Sequence, residues 1–308
     1  MSRKVTKRFS AVLATVGAAA LVLTACGGDG SDDQASGSAT CPNGKIRFGV
    51  EPFEDPAKLT PAFEVVAKGL SEKLDCPVEV TVVDNYAAEV LAMKNGKMEL
   101  GVFGPLGYVF ASQEADAIPI ASFGTADGVL SSYTAGIWVP ADSDIRSIDD
   151  LRGRGLALSE PGSTSGDGLP RMALTNAGIE HDVDITYAGG HPEALLALAN
   201  GKVDAAEINS QQLNTSTKEG VFDPTKFRQI WTSDPIPNDP ITVSGQTSPE
   251  FQKAVAEALL NLPPEAVAQA GALLDVEPAG QLLPVDQSTY QPLFDLATAL
   301  GLTSKDVE

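Results

Sequence analysis

Four places in this sequence could do chemistry, and all four suit the holding of an anion. The segment Pro161-Gly162-Ser163-Thr164-Ser165-Gly166-Asp167 puts three consecutive hydroxyls after a strand-like run and at the opening of a helical one. The first backbone N–H groups of a helix have no internal acceptor and lie at the positive end of its dipole. With the donors of Ser163, Thr164 and Ser165 added, this is an oxyanion cradle that needs no lysine or arginine; a plain N-cap would draw the same residue types. It is not a P-loop, because no Gly-Lys-Ser/Thr follows, and its glycine spacing is wrong for a dinucleotide fingerprint. His191, just before Pro192, is expected at an N-cap with proline at the first helical position. There it can donate to the same anion or simply cap. Tyr86 holds the matching place earlier in the chain and offers a phenolic donor, with core packing as the alternative. Asp239, in Asn238-Asp239-Pro240, reads as a turn residue. Beside a cradle it gains a second meaning: a carboxylate only accepts hydrogen bonds, so it would select a ligand that still carries a proton and reject sulfate.

No nucleophile–base pair and no HExxH occurs in a plausible context, so no catalytic set emerges and the chain is not expected to be an enzyme. Two histidines and three cysteines are too few for a zinc domain or an iron–sulfur protein; no cofactor and no metal is expected. The chain has 308 residues, with 21 basic against 41 acidic side chains and a formal net charge of −20. Such a surface repels phosphate backbones and anionic lipid, which excludes nucleic acid and a basic membrane-binding patch. With 6% aromatics, a carbohydrate-stacking surface is not expected either.

The N-terminus reads as an address. Arg3, Lys4, Lys7 and Arg8 precede a short apolar run, 9–24, too short for a membrane span and laid out like an export signal. Leu23-Thr24-Ala25-Cys26 resembles the bacterial lipobox, which implies a lipidated Cys26 after removal of 1–25. Residues 27–40 are rich in Gly, Ser and Asp and read as a flexible tether. Cys41 and Cys76 remain, in an extracytoplasmic setting where disulfides persist. Each stands just before a strand-like run (46–50 and 78–83); if those strands are parallel neighbours the cysteines share a sheet end, and a bridge is favoured over two free thiols.

Stepping along the body, short β-rich runs alternate with helical patterns, the mark of an α/β protein with parallel strands. Strands are expected at 46–50, 78–83, 99–103, 135–139, 155–159, 184–187, 203–208, 227–231 and 241–244. Helices are expected at 60–74, 87–95, 105–112, 147–152, 168–177, 192–200, 249–261, 264–274 and 289–300. An internal echo lies 105 residues apart: aligning Asn95-Gly96-Lys97 with Asn200-Gly201-Lys202 sets Tyr86 on His191 and Phe103 on Ile208. Two similar lobes imply a cleft, and ligands of open parallel sheets bind beyond the carboxyl ends of the strands. The expected organisation is lobe 1 over 45–138, lobe 2 over 139–234 and a return to lobe 1 over 235–308. Hinge crossings are expected near 136–141 and 232–240, the second with three prolines and therefore not helical.

The stretches 161–243 and 46–111 resemble the phosphate-, phosphite- and phosphonate-binding proteins of bacterial ABC importers, a PhnD-like family, over most of 45–262. The resemblance implies a two-lobed periplasmic-binding fold of type II. It implies that the phosphoryl group is held by Ser163, Thr164, Ser165, Tyr86 and His191, with Asp239 taking a P–OH proton or a ligand amine. Gln211 stands where aminophosphonate binders have a carboxylate, and Phe103 where a tyrosine can supply a hydroxyl; both departures favour phosphite, methylphosphonate or phosphate. The implied protein is a monomer, anchored by lipid alone to the outer face of the cell membrane, that delivers its ligand to an ABC permease. A sulfonate binder of the same fold, or a partner of a sensor kinase, is the alternative.

Overall fold

In a computed structural model, residues 38–307 are described; the export signal, Cys26 and most of the tether lie outside the described residues. The first strand, β1 (Ile46–Val50), is buried almost throughout, as a central parallel strand covered on both faces must be. α1 (Pro56–Leu74) follows. It begins earlier than expected, because Asp55 accepts a hydrogen bond from Ala57 N and Pro56 sits in the first turn, where no N–H is missed. Then come β2 (Val78–Val82), α2 (Tyr86–Lys94), β3 (Leu100–Val102), α3 (Pro105–Ala115) and β4 (Ala117–Thr125). The chain continues through β5 (Ser132–Tyr133), β6 (Gly136–Pro140), β7 (Gly155–Leu158), α4 (Leu169–Asn176), β8 (Asp184–Tyr187), α5 (His191–Ala199) and β9 (Ala205–Glu207). It closes with α6 (Ser210–Lys218), β10 (Phe227–Thr232), β11 (Ile236–Pro237), β12 (Ile241–Ser244), α7 (Pro249–Leu260), α8 (Pro264–Leu273), β13 (Ala279–Pro284) and α9 (Gln291–Leu300).

The strands form a six-stranded sheet in the order β13-β4-β12-β3-β1-β2 and a five-stranded sheet in the order β10-β6-β9-β7-β8. Both are mixed: β12 runs antiparallel to β3 and β4, and β6 antiparallel to β9 and β10. We call the first sheet and its helices lobe 1 and the second lobe 2. The echo in the sequence is an echo in the topology. The unit β1-α1-β2-α2-β3 pairs as β2-β1-β3, and β7-α4-β8-α5-β9 pairs as β8-β7-β9, every pair parallel. The two NGK turns match as well, with Asn95 and Asn200 capping their helices and Gly96 and Gly201 at φ of 62° and 64°.

Several expectations need correction. The hinge expected at 136–141 is strand β6 of the second sheet, so the first run of lobe 1 strands ends at Thr125 rather than near 138. The chain crosses instead at 126–135 and again at 233–240, and the two crossings pair through the short antiparallel ribbon β5–β11. Two strands of lobe 1 carry no clear signal. β4 contains Pro119, tolerated beside a register shift in its pairing with β12. β13 contains Gly280, where a Cβ would stand 2.0 Å from Thr125 O, so only glycine allows that close approach of backbones. α6, Ser210-Gln-Gln-Leu-Asn-Thr-Ser-Thr-Lys218, has no apolar period; it buries Gln211, Gln212 and Ser216. Residues 147–152 hold a single 3₁₀ turn, 148–151.

Phe48, Phe63, Val66 and Leu70 lie in the core between the six-stranded sheet and α1, with Phe251 and Leu259 of α7 in the same cluster. Cys41 and Cys76 are bonded, with Cα atoms 5.4 Å apart. They stand beneath the parallel pair that begins Ile46–Val78, the shared sheet end on which the expectation rested.

Candidate functional site

The loop after β7 builds the cradle. Ser163 Oγ caps the turn by accepting from Gly166 N (3.1 Å), and the chain then makes one wide turn, Thr164–Gly168, before α4. Gly166 is obligatory, since a Cβ there would lie 2.4 Å from Ser159 Oγ and 2.8 Å from His191 Cε1. Asp167 is taken out of contention as a ligand by two bonds, from Tyr187 Oη (2.6 Å) and Gly162 N (3.0 Å).

The three hydroxyls line a small cavity enclosed between the lobes. Tyr86, His191, Gln211 and Asp239 line it too, together with Glu51, Phe53, Gly104, Tyr133 and Asn209. Seven of the eight ligand residues expected from the sequence are therefore brought together. Tyr86 and His191 are the first residues of α2 and α5, so the pair matched by the sequence repeat meets across one cavity. His191 is one position further into its helix than expected; Gly190 is the cap. Gly104 and Asn209, which the same alignment matches, face each other in the same way. Phe103 does not reach the cavity. Its ring is buried in the apolar cluster with Val90, Met93 and Met98, and the backbone of Gly104 takes its place on the wall. Gln211 reaches the wall, but its amide donates to Asn238 Oδ1 (2.6 Å) and Leu274 O (3.2 Å), which ties α6 to the second crossing.

The lobes are closed on each other. Thr164 Oγ1 in lobe 2 accepts from Leu106 N at the start of α3 (2.8 Å). Glu160 Oε1 accepts from Tyr86 N (3.2 Å), and Lys58 pairs with Glu219 (2.8 Å). The first two use helix-start amides that lack internal acceptors, so closure satisfies groups that an open cleft would leave to water.

His191 is held from both ends. Its Nε2 meets Ser163 Oγ at 3.1 Å, and its Nδ1 meets Glu207 Oε2 at 2.8 Å, both buried. Burial alone works against the imidazolium, but the charge and hydrogen bond of Glu207 outweigh it and raise the His191 pKa above its ordinary 6.5. Glu207 itself is pushed up by burial and pulled back by His191. With Nδ1 held by Glu207, Nε2 is the ring nitrogen turned to Ser163 and the cavity. Burial, then nearby Glu51, Glu160 and Asp239, raises the Tyr86 hydroxyl, and burial, then Asp239 and Glu51, raises that of Tyr133; both stay protonated donors. Burial also pushes Asp239 up to about 7, against the pull of His191. This amends the expected exclusion of sulfate: below about pH 7 Asp239 brings its own proton, so it demands a proton from the ligand only above that.

Tyr133, Asn209, Glu51 and Glu207 were not singled out from the sequence. Tyr133 sits on a two-residue strand, and Asn209 caps the unforeseen α6, where its Nδ2 donates to Ser165 Oγ (3.1 Å). Charge alone argues for solvent, yet Glu51, Glu89 and Glu207 are buried. The repeat alignment held one usable signal: it sets Glu207 on the buried Val102, a carboxyl where the other copy is apolar. Among the described residues no cluster of His, Cys, Asp or Glu could hold a metal ion, and no helix is long and apolar enough to cross a membrane.

Residues 48–290 match the family described as ABC transporter, phosphonate, periplasmic substrate-binding protein. The phosphate-import protein PhnD of Mycolicibacterium smegmatis is 29% identical over 243 residues, 75% of each chain. The phosphonates-binding periplasmic protein of Escherichia coli is 26% identical over 223 residues, 70% of this chain and 65% of that one. Among solved structures, PhnD1 of Prochlorococcus marinus in complex with methylphosphonate superposes with a TM-score of 0.72 at 21% identity, covering 84% of this chain and 98% of that chain.

Proposed function

Because the chain belongs to the family of periplasmic substrate-binding proteins of phosphonate ABC transporters, we propose that its closed cleft captures one small phosphorus oxyanion for an ABC permease. It is a transport component and not an enzyme. The observation that carries the ligand reading is the enclosed cavity with three hydroxyls, two tyrosines and a Glu207-backed histidine on its walls and no lysine or arginine lining it. Such walls solvate an anion by hydrogen bonds, and Asp239 accounts for a proton between ligand and protein. The space is far smaller than the roughly 300 Å³ or more of a drug-sized site. That favours phosphite, phosphate or methylphosphonate over ligands with long tails.

The cleft closes around the ligand, and the permease reads the closed form. Titration calorimetry of the purified protein tests the reading: a phosphorus oxyanion should bind with one-to-one stoichiometry at pH 7. Binding of sulfonates alone would favour the sulfonate importer instead. The same proposal has the chain act as a monomer, held to the outer face of the membrane by lipid on Cys26. In cells that lipidate exported proteins, Cys26→Ala should leave the protein soluble or unprocessed; unchanged membrane fractionation would refute the anchor.

A further inference from the structure

The loops after β1 and β7 begin alike, with Glu51-Pro52 and Glu160-Pro161, and both glutamates are buried. Their fates differ. Glu160 has a protein partner, the Tyr86 amide. Glu51 lines the cavity, and its Oε2 is buried with no hydrogen-bond partner. A buried polar atom left unpaired costs about 1–3 kcal/mol, so a site that keeps one supplies its partner by other means. Gly104 and Gly107 lie against the carboxyl, and a Cβ on Gly104 would stand 2.5 Å from Oε1. Two glycines make room for this side chain in the cavity wall.

Glu51 need not repel an anion there. Burial, then the carboxyls of Asp239 and Glu89, push its pKa well up, with Glu160 adding to them and the Gly104 amide pulling the other way. A neutral carboxylic acid both donates and accepts, so it can pair with a P–O⁻ or a P–OH. It cannot pair with P–H or P–CH₃. The cradle hydroxyls, Tyr86, Tyr133 and His191 supply donors for up to three oxygens, which every phosphorus ligand considered above possesses. The fourth substituent is what separates them.

We propose that Glu51 is the specificity-determining residue of this cleft: its unpartnered Oε2 is met only by a fourth ligand oxygen, so the site selects orthophosphate over phosphite and methylphosphonate. The inference rests on the phosphorus-oxyanion reading. It is tested by calorimetry at pH 7 with orthophosphate, phosphite and methylphosphonate, on the wild type, Glu51→Gln and Glu51→Leu. Wild type should prefer orthophosphate by about tenfold or more, the equivalent of one buried group left unpaired. Glu51→Gln, which still donates and accepts, should keep that order. Glu51→Leu should abolish it by losing affinity for orthophosphate while holding or gaining affinity for the other two.

A wild type that binds phosphite or methylphosphonate as tightly as orthophosphate would overturn the role of Glu51. So would a Glu51→Leu variant, folded by circular dichroism, that weakens all three ligands equally. Absence of binding by all three to the wild type would instead overturn the phosphorus reading itself, and the Glu51 role with it.

Discussion

Glu207→Gln should weaken binding of a phosphorus oxyanion about 10- to 100-fold at pH 7, the range expected for loss of a charge-assisted hydrogen bond. Glu207 does not itself line the cavity; it acts through His191, whose Nδ1 it holds at 2.8 Å. With the Glu207 carboxylate gone, burial is opposed by the charges of Glu160, Glu54 and Asp239, and the His191 pKa should fall. The imidazole would then be neutral at pH 7 and give the anion no charge. Affinity should recover in part as pH is lowered towards 5, where the ring is protonated again. A loss that is equal at pH 5 and pH 7 would show that Glu207 shapes the site without charging it. Glu207→Ala goes further, because it removes one partner of a buried pair, a change that typically costs about 3–5 kcal/mol. Its melting temperature should drop together with its affinity.

Asp239→Asn should flatten the dependence of affinity on pH. In the wild type burial pushes the carboxyl up to about 7, and the phosphorus oxyanions considered lose their second proton around neutrality. Well above pH 7 neither partner carries the proton that must lie between them, so binding has to take one up. Affinity should fall by up to about tenfold per pH unit from there. An amide donates without titrating, so the variant should accept the dianion directly. By pH 9 the wild type should have lost up to about 100-fold of its neutral affinity by the same rule, while the variant loses far less. The groups that interact with Asp239 are His191, Glu51, Glu89, Tyr86, Tyr133 and Tyr290; His191 titrates in both proteins and so sets the slope that remains. Calorimetry from pH 6 to 9 on both proteins measures this, and parallel profiles would remove Asp239 from the proton balance.

Much of the site was legible because its residues punctuate the chain. Ser163-Thr164-Ser165 follows a strand and opens a helix, His191 precedes a proline, and Asp239 lies in a proline-rich crossing; each announces backbone geometry as well as chemistry. The repeat extended that reach, since matching two NGK turns put Tyr86 and His191 on one cavity before any fold was known. What escaped was whatever lacked period or punctuation. β4 and β13 break their alternation with Pro119 and Gly280, and α6 buries a polar face that no hydrophobic pattern reveals. Tyr133 sits on a ribbon of two residues. The buried carboxyls were misplaced for a different reason: charge alone argues for solvent, and only the fold shows that Glu207 has His191 to pair with and that Glu51 has a cavity to face. Phe103 was expected at the wall from the family resemblance, but its ring lies in the core and leaves Gly104 at the cavity.

The central claim is that the closed cleft binds a phosphorus oxyanion with one proton held between ligand and Asp239. Proton-linked calorimetry tests it most directly: phosphite is titrated at pH 8 in two buffers of different ionisation enthalpy, and the difference in heat gives the protons taken up per ligand bound. Uptake of about one proton is expected, since at that pH both Asp239, pushed by burial up to about 7, and phosphite are largely deprotonated when free. Tight binding with no proton uptake, or no phosphorus oxyanion bound at all, would contradict it.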